Sequence, residues 1–213
     1  MIKRFVNTFL YVVMGGICIG LGGTAFLCTD NKIIGAVLFT VGLFTICTMG
    51  FNLFTGKVAY ALENKPDYII DLIFIWLGNF AGVALMAFLM SFTRAGEAMQ
   101  TKALSLCETK LNDSLLSMFI LAIFCNLLIY IAVDGFKNNP HIAGKYVGLF
   151  LGVVGFIYCG FEHSIADMFY FSVANLWSVE SLLCILVVTA GNIVGGLLVP
   201  TFKIISKKLN DKK

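Results

Sequence analysis

Residues Gly160-Phe161-Glu162-His163-Ser164-Ile165-Ala166-Asp167-Met168 interrupt a long apolar stretch, and this interruption decides the fold. Residues 147–158 before it and residues 169–173 after it are almost entirely apolar. A charged side chain inside a bilayer costs roughly 2.5–3.5 kcal/mol on insertion scales, so ionisable residues in a membrane span usually mark a pathway or a relay. Glu162 and His163 are therefore candidate functional residues. The alternative is that they pair only to hold helices together.

A second interruption, Gly-Phe-Asn-Leu-Phe-Thr-Gly at residues 50–56, starts with the same Gly-Phe pair. A cysteine precedes each interruption, and a Gly-Asn-x-x-Gly sequence follows each one, at residues 78–82 and 191–195. Two halves that each carry a broken span are typical of inverted-repeat transporters and channels, in which the broken helices form the site near the bilayer midplane. The order of features predicts one domain over residues 1–213, with repeats at about 9–92 and 114–201.

The composition indicates a membrane protein made of α-helices. The chain has 213 residues, of which 59% are hydrophobic and 13% are charged, and its apolar segments are about 20 residues long, enough to cross a bilayer. A net charge of +3 does not suggest a nucleic-acid partner. The seven cysteines form no C-x-x-C pair and are interpreted as small buried residues, so no metal or cofactor is predicted. The first span lacks a cleavage site and is interpreted as a true span.

Six spans are predicted, of which the second and the fifth are broken. A polar connection at residues 91–113 separates the third span from the fourth. The predicted limits are Phe9–Cys28, Ile33–Leu62 with a break at 49–56, Tyr68–Phe92, Ser114–Val133, Ile142–Asn175 and Ser181–Thr201.

The distribution of basic residues predicts the orientation. Six spans place both termini on one side, here called the termini side. The termini side carries nine basic residues against four on the opposite side, with Lys57 and Lys145 left uncounted because they lie near span ends. Because basic residues concentrate on the cytoplasmic face, both termini are predicted to be cytoplasmic in a multi-pass protein of the cell's inner (cytoplasmic) membrane. The nine are Lys3, Arg4, Lys65, Lys137, Lys203, Lys207, Lys208, Lys212 and Lys213; the four are Lys32, Arg94, Lys102 and Lys110.

These motifs resemble those of the formate/nitrite transporter family. Residues 160–168 look like the family's G-F-E-H-S-x-A-N-M, and residues 53–56 look like part of its E-L-F-T-G loop. Cys125-Asn126 and Gly191-Asn192 are similar to its C-N and G-N pairs in the fourth and sixth spans. The resemblance implies an all-α membrane protein with six transmembrane helices in two inverted three-helix repeats, an aquaporin-like protomer and a homopentamer in the lipid bilayer.

Two positions depart from the family pattern. Asn52 stands where many members carry glutamate, and Asp167 stands where the pattern has asparagine. The first change removes an acid beside one loop, and the second adds an acid beside the histidine loop. The family conducts formate, nitrite or hydrosulfide, and the sequence does not select among these anions.

The resemblance implies one pore per protomer, with His163 between two apolar slits. By position, Leu53 and Phe156 match one slit, and Phe39 and Leu43 match the other. Ordinary helix packing is the alternative role for these four side chains.

The remaining candidate residues are polar. Thr55 is the predicted hydrogen-bond partner of His163, and Lys110 is predicted to concentrate anions at the outer mouth. Glu162 is predicted to hold loop backbone or a neighbouring helix. Asn126 and Asn192 lie inside spans, where an amide needs a partner that is either another helix or the solute.

A small anion crosses an apolar slit only at a high desolvation cost, but a weak acid can cross as its neutral, protonated form. An unperturbed histidine has a pKa of about 6.5, so His163 is suited to stabilise the anion or to exchange a proton with it. The predicted function is therefore a channel for small weak-acid anions.

Two other classes stay open. A neutral-solute channel of the aquaporin or ammonium type also uses repeats, but the sequence lacks paired N-P-A loops and a second pore histidine. An intramembrane enzyme or a metal transporter needs three or four converging ligands, and His163 is the one histidine within a predicted span. The chain is therefore not expected to be an enzyme.

Overall fold

The computed structural model describes residues 2–211, with side chains from Thr8 onward. Lys212, Lys213 and the side chains of Lys3 and Arg4, which entered the charge count, lie outside the described residues. The described chain forms nine α-helices and one 3₁₀ segment, and no strand. They are α1 (Ile2–Leu27), α2 (Lys32–Met49), α3 (Phe54–Lys57), the 3₁₀ segment Val58–Glu63, α4 (Tyr68–Ser91), α5 (Gly96–Leu111), α6 (Leu115–Asn138), α7 (Ile142–Cys159), α8 (Ser164–Ala174) and α9 (Val179–Asn210).

Six of these helices are long and apolar enough to cross a membrane, namely α1, α2, α4, α6, α7 and α9. This confirms the six-span, all-α fold with broken spans two and five. Because each half contains an odd number of spans, the second half crosses the bilayer in the opposite direction to the first. The two halves are therefore inverted repeats.

The helices differ from the sequence prediction in several places, and α1, for example, begins at Ile2 rather than Phe9. The polar connection at residues 91–113 contains the helix α5, which is less apolar than the spans and was predicted as a connection. Helix α6 extends to Asn138 rather than Val133. Helix α9 continues through Pro200 to Asn210, beyond the predicted end at Thr201. Hydropathy marks where a span leaves lipid, but the backbone hydrogen bonds of a helix continue past that point.

Both breaks are built in the same way. Gly50 ends α2 with a φ of 74°, and Gly160 ends α7 with a φ of 69°. This left-handed backbone is accessible to glycine without a steric cost. After each glycine the backbone becomes extended before a new helix begins. The extended residue is Leu53 before α3 and His163 before α8.

Close helix contacts occur at equivalent places in the two halves. Helix α1 packs against α4, and α6 packs against α9. A Cβ at Gly82 would lie 2.1 Å from the carbonyl oxygen of Val13, and a Cβ at Gly195 would lie 2.1 Å from that of Ile123. Only glycine permits backbones to approach this closely, as in small-residue packing of membrane helices. Helix α8 is buried at the centre, and exposed Ile, Leu and Phe side chains cover the outside.

Candidate functional site

Asn79 on α4 holds the first broken loop. Its Nδ2 donates to the carbonyl oxygens of Val12 (2.7 Å) and Asn52 (2.8 Å). Its Oδ1 accepts a hydrogen bond from the backbone N–H of Phe54 at 2.8 Å. One buried amide therefore ties α1, the loop and the start of α3 together, and it satisfies an N–H group that has no partner within its own helix.

Asn192 on α9 makes the same three hydrogen bonds in the second half. Its Nδ2 donates to the carbonyl oxygens of Ala122 and Glu162, both at 2.9 Å. Its Oδ1 accepts from the backbone N–H of Ser164, also at 2.9 Å. Each of these three partners lies 110 positions after its counterpart in the first half, so the two asparagines are equivalent braces.

Asn126 lies next to this second brace. Its Nδ2 donates to the carbonyl oxygen of Asn192 at 2.6 Å, and both side chains are fully buried. Both residues are candidate pore or solute contacts from the sequence, with another helix as the alternative partner. The structure gives them partners in the protein, and only Oδ1 of Asn126 has no hydrogen-bond partner among the described residues.

His163 is held in one tautomer by its hydrogen bonds. Its Nδ1 accepts from the backbone N–H of Ala166 at 3.1 Å and thereby caps α8. In a neutral imidazole one nitrogen accepts and the other carries the proton, so the proton lies on Nε2. Nε2 lies 2.9 Å from Oγ1 of Thr55, the partner that was predicted for it. The ring therefore offers one N–H donor to Thr55 or to a solute beside it.

Aromatic side chains cover one side of the imidazole. The ring of Phe156 stacks on His163 with centroids 5.6 Å apart and an angle of 19° between the planes. Phe39 meets Phe156 edge to face at 5.9 Å. The side-chain contacts thus pair Phe39 with Phe156, whereas the resemblance matched Phe156 to a slit with Leu53.

A cavity of about 620 Å³ opens on the termini side, and we call it the termini-side cavity. Leu43 and Leu53 are buried side chains in its wall, so these two predicted constriction residues lie together. Lys57 is half-buried in the same wall, and Lys137 extends over the ring of Tyr60 at 4.7 Å. The full lining is Leu43, Ile46, Cys47, Gly50, Phe51, Leu53, Gly56, Lys57, Tyr60, Glu63, Asn64, Tyr68, Val133, Phe136 and Lys137.

Lys110 does not present a free positive charge. Its Nζ forms an ion pair with Oε2 of Glu162 and lies 2.9 Å from Oδ1 of Asp167. The Lys110 side chain is only 12% exposed. The prediction that Lys110 recruits anions assumed an uncompensated charge at the mouth, and the geometry instead places two carboxylates on it. Glu162 does hold a neighbouring helix, because Lys110 belongs to α5.

Three residues of the site were not predicted from the sequence, namely Asn79, Lys57 and Lys137. The repeated Gly-Asn-x-x-Gly signal could have identified Asn79, because it is the first-half counterpart of Asn192. No local signal identifies the two lysines, because they come from α3 and α6 and meet at one cavity only in the folded chain.

Comparisons with known proteins agree with this fold. The family model described as Formate/nitrite transporter matches residues 1–204. The chain is 29% identical to "Uncharacterized transporter YrhG" of Bacillus subtilis (strain 168), over 78% of this chain and 68% of that protein. It is 28% identical to the "Probable formate transporter" of Methanothermobacter thermautotrophicus, over 91% of this chain and 84% of that protein. The solved structure "Pentameric formate channel with formate bound" has the same fold, with a TM-score of 0.79, 24% identity and 99% of each chain covered.

Proposed function

We propose a function from one premise, which is that this chain belongs to the formate/nitrite transporter family. The chain is a multi-pass membrane protein, and we propose that it conducts small monovalent weak-acid anions such as formate, nitrite or hydrosulfide. Formate is the substrate in the printed names of several relatives, among them the Methanothermobacter protein, and this supports the substrate class.

The observation that carries the proposal is the single hydrogen-bond donor of His163 within an apolar surround. Phe156 covers the imidazole, Phe39 packs on Phe156, and Leu53 and Leu43 lie in the wall of the termini-side cavity. An unpaired anion cannot enter such an apolar surround cheaply, whereas a neutral acid can. A donor within it compensates the water that the solute loses, without offering a fixed charge that would trap the solute.

The hydrogen bonds of His163 support a neutral imidazole during passage. Protonation would place a hydrogen on Nδ1, and Nδ1 could then no longer accept the Ala166 N–H bond that caps α8. Between the two roles left open by the sequence, this geometry favours hydrogen bonding to the solute through Nε2 over proton exchange. Thr55 Oγ1 accepts the hydrogen bond from Nε2 when no solute is present.

Lys57 and Lys137 recruit anions at the termini-side cavity, on the opposite side of the membrane from Lys110, whose charge is compensated by acids. Both line the termini-side cavity, and no carboxylate forms an ion pair with either of them among the residues that the structure describes. Glu63 lines the same cavity, so the two lysines and this glutamate give the cavity a formal charge of +1. A positive vestibule raises the local concentration of anions, and salt screens the effect.

We further propose a homopentamer in the inner (cytoplasmic) membrane, with both termini in the cytoplasm. The fold shared with a pentameric channel and the apolar exterior support the assembly. The excess of basic residues on the termini side supports the orientation. Mass measurement in detergent tests the pentamer, and a stable monomer or trimer would contradict it.

Flux measured in proteoliposomes tests the function. We expect vesicles that contain the protein to swell in isotonic formate or nitrite, and to respond like empty vesicles to water gradients and to ammonium. Swelling in ammonium or fast water flow without anion flux would favour the neutral-solute class and would refute the proposal. The His163→Asn variant serves as the matched control, because the shorter asparagine has no group at the position of Nε2 but stays polar and can still accept the Ala166 N–H bond.

A further inference from the structure

Lys110, Glu162 and Asp167 form a buried cluster with one cation and two acids. Their side chains are 12%, 7% and 3% exposed. Both carboxyl groups contact the same Lys110 Nζ. With all three groups ionised the cluster has a formal charge of −1. We call these three residues the acid–lysine cluster.

No other cation compensates this charge among the described residues around the cluster. The neighbouring titratable side chains belong to α5, α6, α8 and its N-cap, and α9. None of them is positively charged, since the hydrogen bonds of His163 hold its ring neutral. They are Cys107 on α5, Cys125 on α6, His163 and Tyr170 at and within α8, and Cys184 on α9. A buried unpaired charge is costly, so such a site binds a proton instead.

The arrangement of the two acids leads to the same conclusion. The carboxyl groups of Asp167 and Glu162 both contact Lys110 Nζ, so they lie close to each other. Two ionised carboxylates cannot form a hydrogen bond, because neither has a donor. Oδ2 of Asp167 is buried without any ordinary donor near it. One proton on this pair supplies the missing hydrogen bond and brings the cluster to neutrality, as in other carboxylate pairs that share a proton.

We propose that Asp167 makes anion passage sensitive to acid, because it retains one proton with Glu162 beside Lys110. The inference rests on the proposed anion-channel function and specifies the regulation of that site. With the proton bound, the cluster is neutral and an anion can approach the passage, which it then enters as the neutral acid. When the proton leaves to water, the cluster becomes −1 and repels the anion. Asp167 acts through the field of the cluster and is a positioning residue.

The test compares the wild-type protein with Asp167→Asn as a function of pH. The amide has the same shape but no second acid, so its cluster stays neutral wherever Glu162 is ionised. We expect the ratio of wild-type flux to variant flux to fall on the order of tenfold as the pH is raised from about 5 to about 9. Protonation of the substrate changes both fluxes equally and cancels in the ratio.

Asp30→Asn is the matched control, because it makes the same chemical change in an exposed ion pair with Lys102. Its flux ratio to wild type is expected to stay constant with pH, since exposed pairs contribute little. A constant ratio for Asp167→Asn as well would overturn the proposal.

Infrared spectroscopy provides a second readout that does not depend on flux. We expect a carbonyl stretch from a protonated carboxylic acid in the wild-type protein that is absent in Asp167→Asn, and that disappears at high pH. Absence of this band at every pH would refute the proposal that Asp167 and Glu162 retain a proton. If the protein conducted no anion, the proposed function would fail while the infrared measurement still decided whether the cluster holds its proton.

Discussion

Removal of the Asn192 brace is the sharpest test of how this fold builds its site. The variant Asn192→Leu keeps the branching at Cγ and the number of side-chain heavy atoms but deletes the three hydrogen bonds of the amide. Ala122 lies within α6, so its carbonyl oxygen is also placed for an intrahelical bond. The backbone N–H of Ser164 and the carbonyl oxygen of Glu162 lose the partner that Asn192 provides.

The expected loss of stability follows from these two backbone groups. A buried polar group left without a partner costs about 1–3 kcal/mol, so the free energy of unfolding should fall by roughly 2–6 kcal/mol. The loop that carries His163 also loses its attachment to α9. Anion flux per folded protein should therefore decrease, because the donor on Nε2 is no longer held in place.

Denaturant unfolding in detergent micelles, followed by circular dichroism, measures the loss. Asn138→Leu is a suitable control, because Asn138 is exposed at the end of α6 and bonds only to the Asp134 side chain there. Its effect should be within about 0.5 kcal/mol. If Asn192→Leu destabilised the protein no more than Asn138→Leu, the hydrogen bonds of Asn192 would not stabilise the fold, which would refute the prediction.

Three further predictions concern the pore and the packing. His163→Asn should preserve folding and assembly but reduce flux, and a variant with the wild-type rate and pH profile would exclude His163 as the functional centre. Lys57→Met should lower flux at limiting substrate and low salt and weaken its dependence on ionic strength, whereas unchanged flux would remove Lys57 from the path. Gly195→Ala should destabilise the protein because its Cβ would meet the Ile123 carbonyl, while Gly148→Ala, with open space around it, should be neutral or slightly stabilising in thermal unfolding.

Much of the fold could be predicted from the sequence. Apolar length alone predicts the six spans, and the two Gly-Phe interruptions predict the breaks that end at Gly50 and Gly160. These features are local, because the bilayer acts on each stretch of about 20 residues separately and a left-handed backbone selects glycine at a single position. Helix α5 was not predicted, because its lower apolarity resembles that of a loop.

The candidate site was predicted only in part. The pair of His163 and Thr55 agrees with the resemblance, and the burial of Leu53, Phe156, Phe39 and Leu43 agrees with a constriction. The surroundings of Asn126, Asn192 and Lys110 could not be predicted from the sequence. Asn192 and Asn126 bind backbone and each other rather than facing open space, and Lys110 is compensated by acids.

The acid–lysine cluster shows why these details required the tertiary structure. Lys110 and Glu162 are 52 positions apart in the chain, and the charge that each one presents depends on whether the other lies within a few ångströms. Hydropathy and glycine placement act on neighbouring residues and can be read along the chain. The charge state of a buried group, and the tautomer of His163, are set by side chains from several helices that meet only after packing. The sequence by itself therefore determined the spans, the breaks and the family pattern, while the tertiary structure decided which charges are free, because electrostatic energy depends on distance in space rather than on order in the chain.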